Sequence, residues 1–241
     1  MDTPPHSLDL VLPCYNPQPG WAQVIVSAVA GLQEALPGVD LRIVLVNDGS
    51  QRGIATGDIE QLRAALPRFS YLESKVNRGK GNALRAGVEA AREGICLFTD
   101  IDFPYTQDSL LSLYRQLAAG ETDIAVGIKD AAYYRQLPRM RVRISRFLRL
   151  LARLFLRISI TDTQCGLKGF NAKGKKIFLL TTIDRYLCDL EFIFLADRTP
   201  GLRMKATPVR LREGVVFSRV NPRILLTEGG NFLKIVLRSV F

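Results

Sequence analysis

Apolar and polar positions switch between two periods along the N-terminal half of the chain. Leu8 to Pro13 (LDLVLP) is a short apolar run that closes on a Pro-Cys-Tyr-Asn-Pro turn, which predicts a strand. From Trp21 to Leu36 the apolar positions fall at helical spacing, and Pro37-Gly38 supplies the stop. Leu41 to Val46 (LRIVLV) is β-branched and almost wholly apolar, as in a strand covered on both faces, and it runs into the turn Asn47-Asp48-Gly49-Ser50. A helix around Ile59 to Leu66, a strand near Phe69 to Glu73, a glycine-rich turn (NRGKG), a helix from about Asn82 to Arg92 and a strand at Ile95 to Thr99 continue the series. Strands alternating with helices predict an α/β domain, a mostly parallel sheet flanked by helices.

In such sheets ligands bind outside the carboxyl ends of the strands. Four polar clusters fall in those places: Tyr15-Asn16, Asn47-Asp48, Asn77 to Gly81, and Asp100 with Asp102. They predict one crevice.

Composition narrows the chemistry. A chain of 241 residues supports one substantial core, so 1–241 reads as a single domain: a half at about 8–105 carrying the four clusters, a half at about 106–212, and a tail at about 213–241. No apolar run reaches the roughly 18 residues of a spanning helix, and the short polar Met1 to Ser7 predicts no signal peptide. The four cysteines, Cys14, Cys96, Cys165 and Cys188, lie far apart in apolar or motif-like contexts, as buried reduced thiols of a cytosolic protein would. His6 is the only histidine, which argues against histidine-based zinc sites and Ser-His-Asp chemistry and leaves carboxylates as metal ligands. The net charge of +10 calls for a polyanionic partner or a strongly basic face.

In an extended segment residues i and i+2 point the same way, so Asp100 and Asp102 can converge on one point; a solvated turn is the plainer alternative. Asp100 follows the apolar run ICLFT, and a carboxylate near a buried edge is well compensated by a divalent cation. Mg²⁺ commonly takes one or two carboxylates and fills its other positions with phosphate oxygens and water, which suits departure of a nucleoside diphosphate. Asp48 at a strand end can accept from a base or ribose edge, or can simply stabilise a turn. Asn77-Arg78-Gly79-Lys80-Gly81 resembles a phosphate loop, with glycines for close approach, a lysine for charge and a helix N-terminus following. It is neither a Walker loop nor a full dinucleotide fingerprint, because Leu84 stands at the third glycine.

Taken in order, LPCYN, VNDGS, NRGKGNALRAG and FTDIDFPYT resemble the first half of family-2 glycosyltransferases with the GT-A fold. DTQCGLKGF (Asp162 to Phe170) and CDLEF (Cys188 to Phe192) resemble the subgroup that includes dolichyl- and polyprenyl-phosphate mannose and glucose synthases. The likeness spans about Leu8 to Ala196 and implies inverting transfer from a UDP- or GDP-sugar. It assigns donor contacts to Pro13, Tyr15, Asn16, Asp48, Asn77, Gly79, Lys80, Gly81, Asp100, Ile101 and Asp102, and Mg²⁺ or Mn²⁺ to Asp100 and Asp102. It makes Asp189, with Asp102, catalytic, Asp189 as general base. The family often has an acidic residue after the Tyr-Asn pair; here Pro17 stands there. If YLCDLEFIFLA is helical, Asp189 and Glu191 diverge by about 200° and cannot both face the crevice. A phosphate monoester is largely dianionic at neutral pH and needs no base, whereas a hydroxyl acceptor does.

Arg139, Arg143, Arg146, Arg149, Arg153 and Arg157 recur at helical steps, beside a stripe of Met140, Ile144, Phe147, Leu151, Leu154, Phe155 and Ile158, with Leu150 the exception. The plain alternative packs the stripe on the sheet and leaves the arginines solvated. From Arg135 to Ile160 no acidic residue occurs, which favours a surface for anionic lipid or a lipid-linked phosphate. Arg139, Arg143, Arg146, Gln164, Lys168 and Arg219 are the candidate acceptor or phosphate contacts. Asn231 to Phe241 (NFLKIVLRSVF) is apolar with two cations and either docks on the domain or lies in the membrane interface. These features predict a peripheral enzyme at the cytoplasmic face of a membrane. A glycan or small-molecule hydroxyl is the alternative acceptor, and a nucleic-acid-binding module or a non-catalytic lipid-binding relative the alternative function. No nucleic-acid motif is present, and the intact acidic pair argues against the last.

Overall fold

The computed structural model describes residues 7–129, 139–215 and 222–240. Arg219 lies outside them. Seven strands are described: β1 (Ser7–Cys14), β2 (Asp40–Asp48), β3 (Phe69–Ser74), β4 (Ile95–Phe98), β5 (Ile124–Lys129), β6 (Lys168–Phe170) and β7 (Met204–Val209). They form one sheet in the order β3-β2-β1-β4-β6-β5-β7. Every pairing is parallel except those of β6, which runs antiparallel to β4 and β5. Among the described residues eight α-helices accompany it: α1 (Trp21–Ala35), α2 (Thr56–Ala65), α3 (Lys80–Ala90), α4 (Gln107–Ala118), α5 (Arg139–Leu151), α6 (Ala172–Phe178), α7 (Cys188–Asp197) and α8 (Pro222–Val240).

The strand sequences explain the two-sided packing. Leu8, Leu10 and Leu12 of β1, Ile43 and Leu45 of β2 and Leu97 of β4 point to one face, where α1, α2 and α4 cover them. Val11, Val44, Val46, Cys96 and Phe98, the alternate positions, point to the other, against α3, α6 and α7. Both faces being buried is why these runs are almost continuously apolar. All four cysteines are buried free thiols, as expected.

The basic helix does not continue regularly to Ile158, as its pattern suggests, but ends at Leu151. After α5 the chain widens into a π turn, Ala152–Leu156, and is stopped at Arg157, whose φ of 49° is left-handed. The wider turn lets Ala152 and Leu156 both enter the core.

At the end of the sheet opposite the polar clusters, Asp9 is buried and accepts from Arg42 at 2.6 Å and from the backbone and side chain of Arg92. Burial alone would raise its carboxyl, but these bonds outweigh burial and hold it below the ordinary carboxylate range. Asp123 is held low in the same way by Arg203 and Asn171. Both depressed groups contribute stability that is complete above the unfolded pKa of about 3.9 and is lost as pH falls through their folded values. Asp9→Ala, which removes the carboxylate shared by two partly buried guanidinium groups, is expected to cost about 3 kcal/mol in urea denaturation at pH 7.

Candidate active site

The carboxyl ends of β1, β2, β3 and β4 gather the predicted clusters. Asn16, itself in the left-handed region at φ 46°, ties the first to the second: its backbone N–H donates to Ser50, and its Oδ1 accepts from the backbone of Gln51. Pro17 sits under Gly53, so the position the family often gives to an acidic residue is occupied by loop packing. Pro13 is half-buried near the end of β1, and Tyr15, just past that end, is 49% exposed.

Asp48 is buried, and its carboxylate is already engaged. It accepts from Asn77 Nδ2 at 3.0 Å and from the backbone N–H groups of Arg78 and Gly79, both at 2.8 Å. Its observed contacts hold the glycine loop. Gly79 (φ 119°) and Gly81 admit no side chain: a Cβ there would lie 2.4 Å from the Asp184 carbonyl and 2.3 Å from the Ile183 carbonyl. The loop thus abuts the segment that leads into α7, and α3 starts at Lys80, two residues before its predicted start.

The acidic pair lies in a turn. β4 ends at Phe98, one residue before the expected Thr99, and Phe103 N–H closes back on the Asp100 carbonyl at 3.0 Å. Convergence by extended geometry does not apply, because Asp100, Ile101 and Asp102 curve out of the sheet. The two carboxyls are nevertheless close enough to act on each other: partial desolvation, then the charge of Asp100, raises the Asp102 carboxyl. Gly166, in the strand-end segment before β6, makes room for this turn, since a Cβ there would meet Asp100 Oδ2 at 2.4 Å. Lys80 Nζ donates to Asp100 Oδ1 at 2.6 Å. Burial opposes the ammonium, but Asp100 and Asp189 override it and keep Lys80 above the usual lysine range. That influence puts Asp189 in the same electrostatic neighbourhood as Asp100.

α7 separates the second acidic pair as its period requires. Asp189 faces inward and accepts from Lys168 Nζ at 2.6 Å. Glu191 is turned away, accepting from the backbone of Thr182 and Ile183 and pairing with Arg238 of α8. Glu191 secures the segment beneath the glycine loop, and Asp189 is the carboxylate on the crevice side.

The acceptor expectations divide. Lys168 is fully buried, with its ammonium spent on Asp189 and on the Cys165 carbonyl at 2.6 Å. It is corrected from a phosphate contact to a core counter-ion. Gln164 is partly exposed, and its carbonyl accepts from Lys129. Arg143 and Arg146 are exposed on α5; the side chain of Arg139, like all of Arg219, falls outside what is described. The apolar stripe is not packed on the sheet: Met140, Phe147, Leu154 and Phe155 are each more than half exposed, while Ile158 is buried. α8 docks on the domain along one side and leaves another exposed. Ile235 is buried in the core, Leu233 and Leu237 are exposed, and Phe232 meets Phe155 edge-on. No helix of the described residues is long and apolar enough to cross a membrane.

Two contributors escaped the sequence reading. Arg212, whose Nη2 bonds the Asp102 carbonyl at 2.9 Å, carries no motif. Gly166 stood within QCGLKG, but only the approach of Asp100 explains it.

The model of glycosyl transferase family 2 matches residues 9–178. The chain belongs to glycosyl transferase family 2. It is 32% identical to the dolichyl-phosphate beta-glucosyltransferase of Drosophila melanogaster over 88% of this chain and 68% of that protein. It is 30% identical to glycosyltransferase AglD of Haloferax volcanii over 84% of this chain, but spans only 32% of that longer protein. Among solved structures, glucosyl-3-phosphoglycerate synthase from Mycobacterium tuberculosis, in complex with Mn²⁺, UDP and phosphoglyceric acid, superposes with a TM-score of 0.63 at 16% identity, covering 98% of this chain and 77% of that one. Mannosyl-3-phosphoglycerate synthase from Rubrobacter xylanophilus gives 0.66 at 15% identity, covering 98% and 74%. At that identity the likeness establishes the fold, which is GT-A. This family-2 chain is a glycosyltransferase.

Proposed function

We propose that the chain transfers a sugar, with inversion, from a UDP- or GDP-sugar to a polyprenyl phosphate at an anionic, cytoplasmic membrane surface. The observation that carries this is the pairing of Lys80 with Asp100 beyond the end of β4, within the electrostatic influence of Asp189 on α7, in a chain related to dolichyl-phosphate glucosyltransferases.

The residues present fit a divalent cation. Two crowded carboxylates with one raised carboxyl gain from it, and among the described residues no cluster of three potential metal ligands competes. Asp100 and Asp102 would hold Mg²⁺ or Mn²⁺, leaving its other positions to diphosphate and water. Bound there, the cation would offset the charge that develops on the departing nucleoside diphosphate. Lys80 and the N–H groups at the start of α3 supply fixed positive potential on the same side. Tyr15 offers an open aromatic face to the nucleoside, and Asn16, Asn77, Gly79 and Gly81 shape the walls. Ile101 is half-buried and anchors the turn. An acceptor phosphate arriving as the dianion brings its own nucleophilic oxygen, so Asp189 positions groups through Lys168 without having to take a proton.

The exposed leucines and phenylalanines of α5 and α8, flanked by Arg143, Arg146 and Arg153, support a peripheral membrane site. At about 1 kcal/mol per basic residue, replacing those three arginines with glutamine should weaken binding to anionic vesicles by about a hundredfold in sedimentation. Unaltered binding would return the helix to a merely solvated face. The function itself is tested by screening UDP- and GDP-sugars with Mg²⁺ or Mn²⁺ against polyprenyl phosphate, hydroxyl glycans and water. Transfer to the lipid phosphate is expected. Turnover only with hydroxyl acceptors would replace the acceptor, and no donor binding at all, with salt-sensitive DNA binding in its place, would remove the enzyme reading.

A further inference from the structure

Lys80 occupies an unusual place for a phosphate-loop lysine. Its side chain is 17% exposed, and its ammonium points at Asp100 Oδ1, 2.6 Å away. Asp100 Oδ2 lies on the other side against Gly166, so the carboxylate is held between a cation and a bare backbone position. Asp189 adds a second negative charge near the same ammonium, while its own Oδ1 is taken by Lys168. The ammonium thus already neutralises the carboxylate that a divalent cation would need. Two cations on one carboxylate repel, and at the short distances inside a crevice that repulsion is large. A diphosphate relieves it, because its oxygens can take the ammonium while sharing the metal.

We propose that Lys80 is a placeholder counter-ion that competes with the divalent cation for Asp100, so that the cation is held firmly only together with a diphosphate that draws the ammonium away. The role deepens the donor site proposed above and rests on it. It makes Lys80 the residue that couples metal binding to nucleotide binding, a coupling that by linkage must act equally in both directions. It also gives a reason for a lysine at the first position of α3, immediately after Gly79, where its side chain reaches Asp100.

The test uses the full chain and reads binding, with Mn²⁺ titrated by electron paramagnetic resonance, alone and with UDP or GDP. In the wild type, the nucleotide is expected to tighten Mn²⁺ by well over tenfold. In Lys80→Met, Mn²⁺ alone should bind about tenfold tighter than in the wild type, the nucleotide should bind more weakly, and the coupling factor should fall by about tenfold, leaving only what direct contact of diphosphate and cation supplies. Lys80→Arg keeps the charge and should keep the weak binding of Mn²⁺ alone. Wild-type protein that binds Mn²⁺ alone as tightly as with nucleotide overturns the proposal, even if the methionine variant does not fold. So does an unchanged coupling factor in a folded Lys80→Met, and in that case the donor site itself stands. Absence of nucleotide binding under every condition would instead remove the donor site and this role with it.

Discussion

Asp102→Asn is expected to lower metal-dependent transfer by about a hundred- to a thousandfold while leaving the thermal midpoint unchanged or slightly higher. Asp102 is exposed, so the substitution disturbs no packing. Its carboxyl is raised, by lost hydration first and by Asp100 second, an unfavourable placement of charge that a cation held there would offset. The asparagine relieves that cost and removes half of the protein's charge on the metal. Losses of this size follow when a preorganised electrostatic contact to developing charge is deleted. Two measurements check it together: kcat across an Mn²⁺ titration, and a melting curve. Unchanged turnover at low Mn²⁺ would show that the metal is held elsewhere.

What the sequence made legible, and what it hid, follows from the range of the interactions involved. The strands β1, β2 and β4 are buried on both faces, which writes itself as uninterrupted apolar runs, and the turns after them carry Asn, Asp and Gly. Those signals are local, so the first half of the sheet and all four strand-end clusters could be read. β6 shows the opposite case. It has three residues, Lys168–Phe170, and runs antiparallel between β4 and β5, so no period can announce it. Because β6 was invisible, so was the inward direction of Lys168, which carries a charge in the sequence and none to solvent in the fold. Asp48 has a second role that the sequence hid for a related reason. A strand-end aspartate next to a glycine loop is compatible with a ligand contact, yet three donors from residues 77–79 reach it through a loop closure that spacing cannot show. The basic helix was legible as a helix, but whether its apolar stripe faces protein or solvent depends on what lies beneath, and the exposure of Met140, Phe147 and Leu154 appears only in three dimensions.

Asp189→Ala is expected to destabilise the protein by about 3–5 kcal/mol, the largest effect on folding predicted from this site. Lys168 is fully buried, over the ring of Phe98 and against Asp189 Oδ1 and the Cys165 carbonyl. Removing the carboxylate leaves an ammonium in the core with one carbonyl for company, and an uncompensated buried charge costs several kcal/mol. Replacing both partners at once, Asp189→Leu with Lys168→Met, should recover most of that loss, because a buried ion pair exchanged for apolar side chains of similar volume is often neutral. Urea denaturation of the two variants measures the difference. The same pair of proteins then separates structure from chemistry. If the acceptor is a phosphate dianion, the refolded double variant needs no base and should keep transfer to polyprenyl phosphate within about tenfold, since general-base catalysis worth about 10²–10⁴ is not being lost. A stable double variant that has lost transfer by that larger factor would mean that Asp189 takes part in the transfer step itself, against the base-free reading.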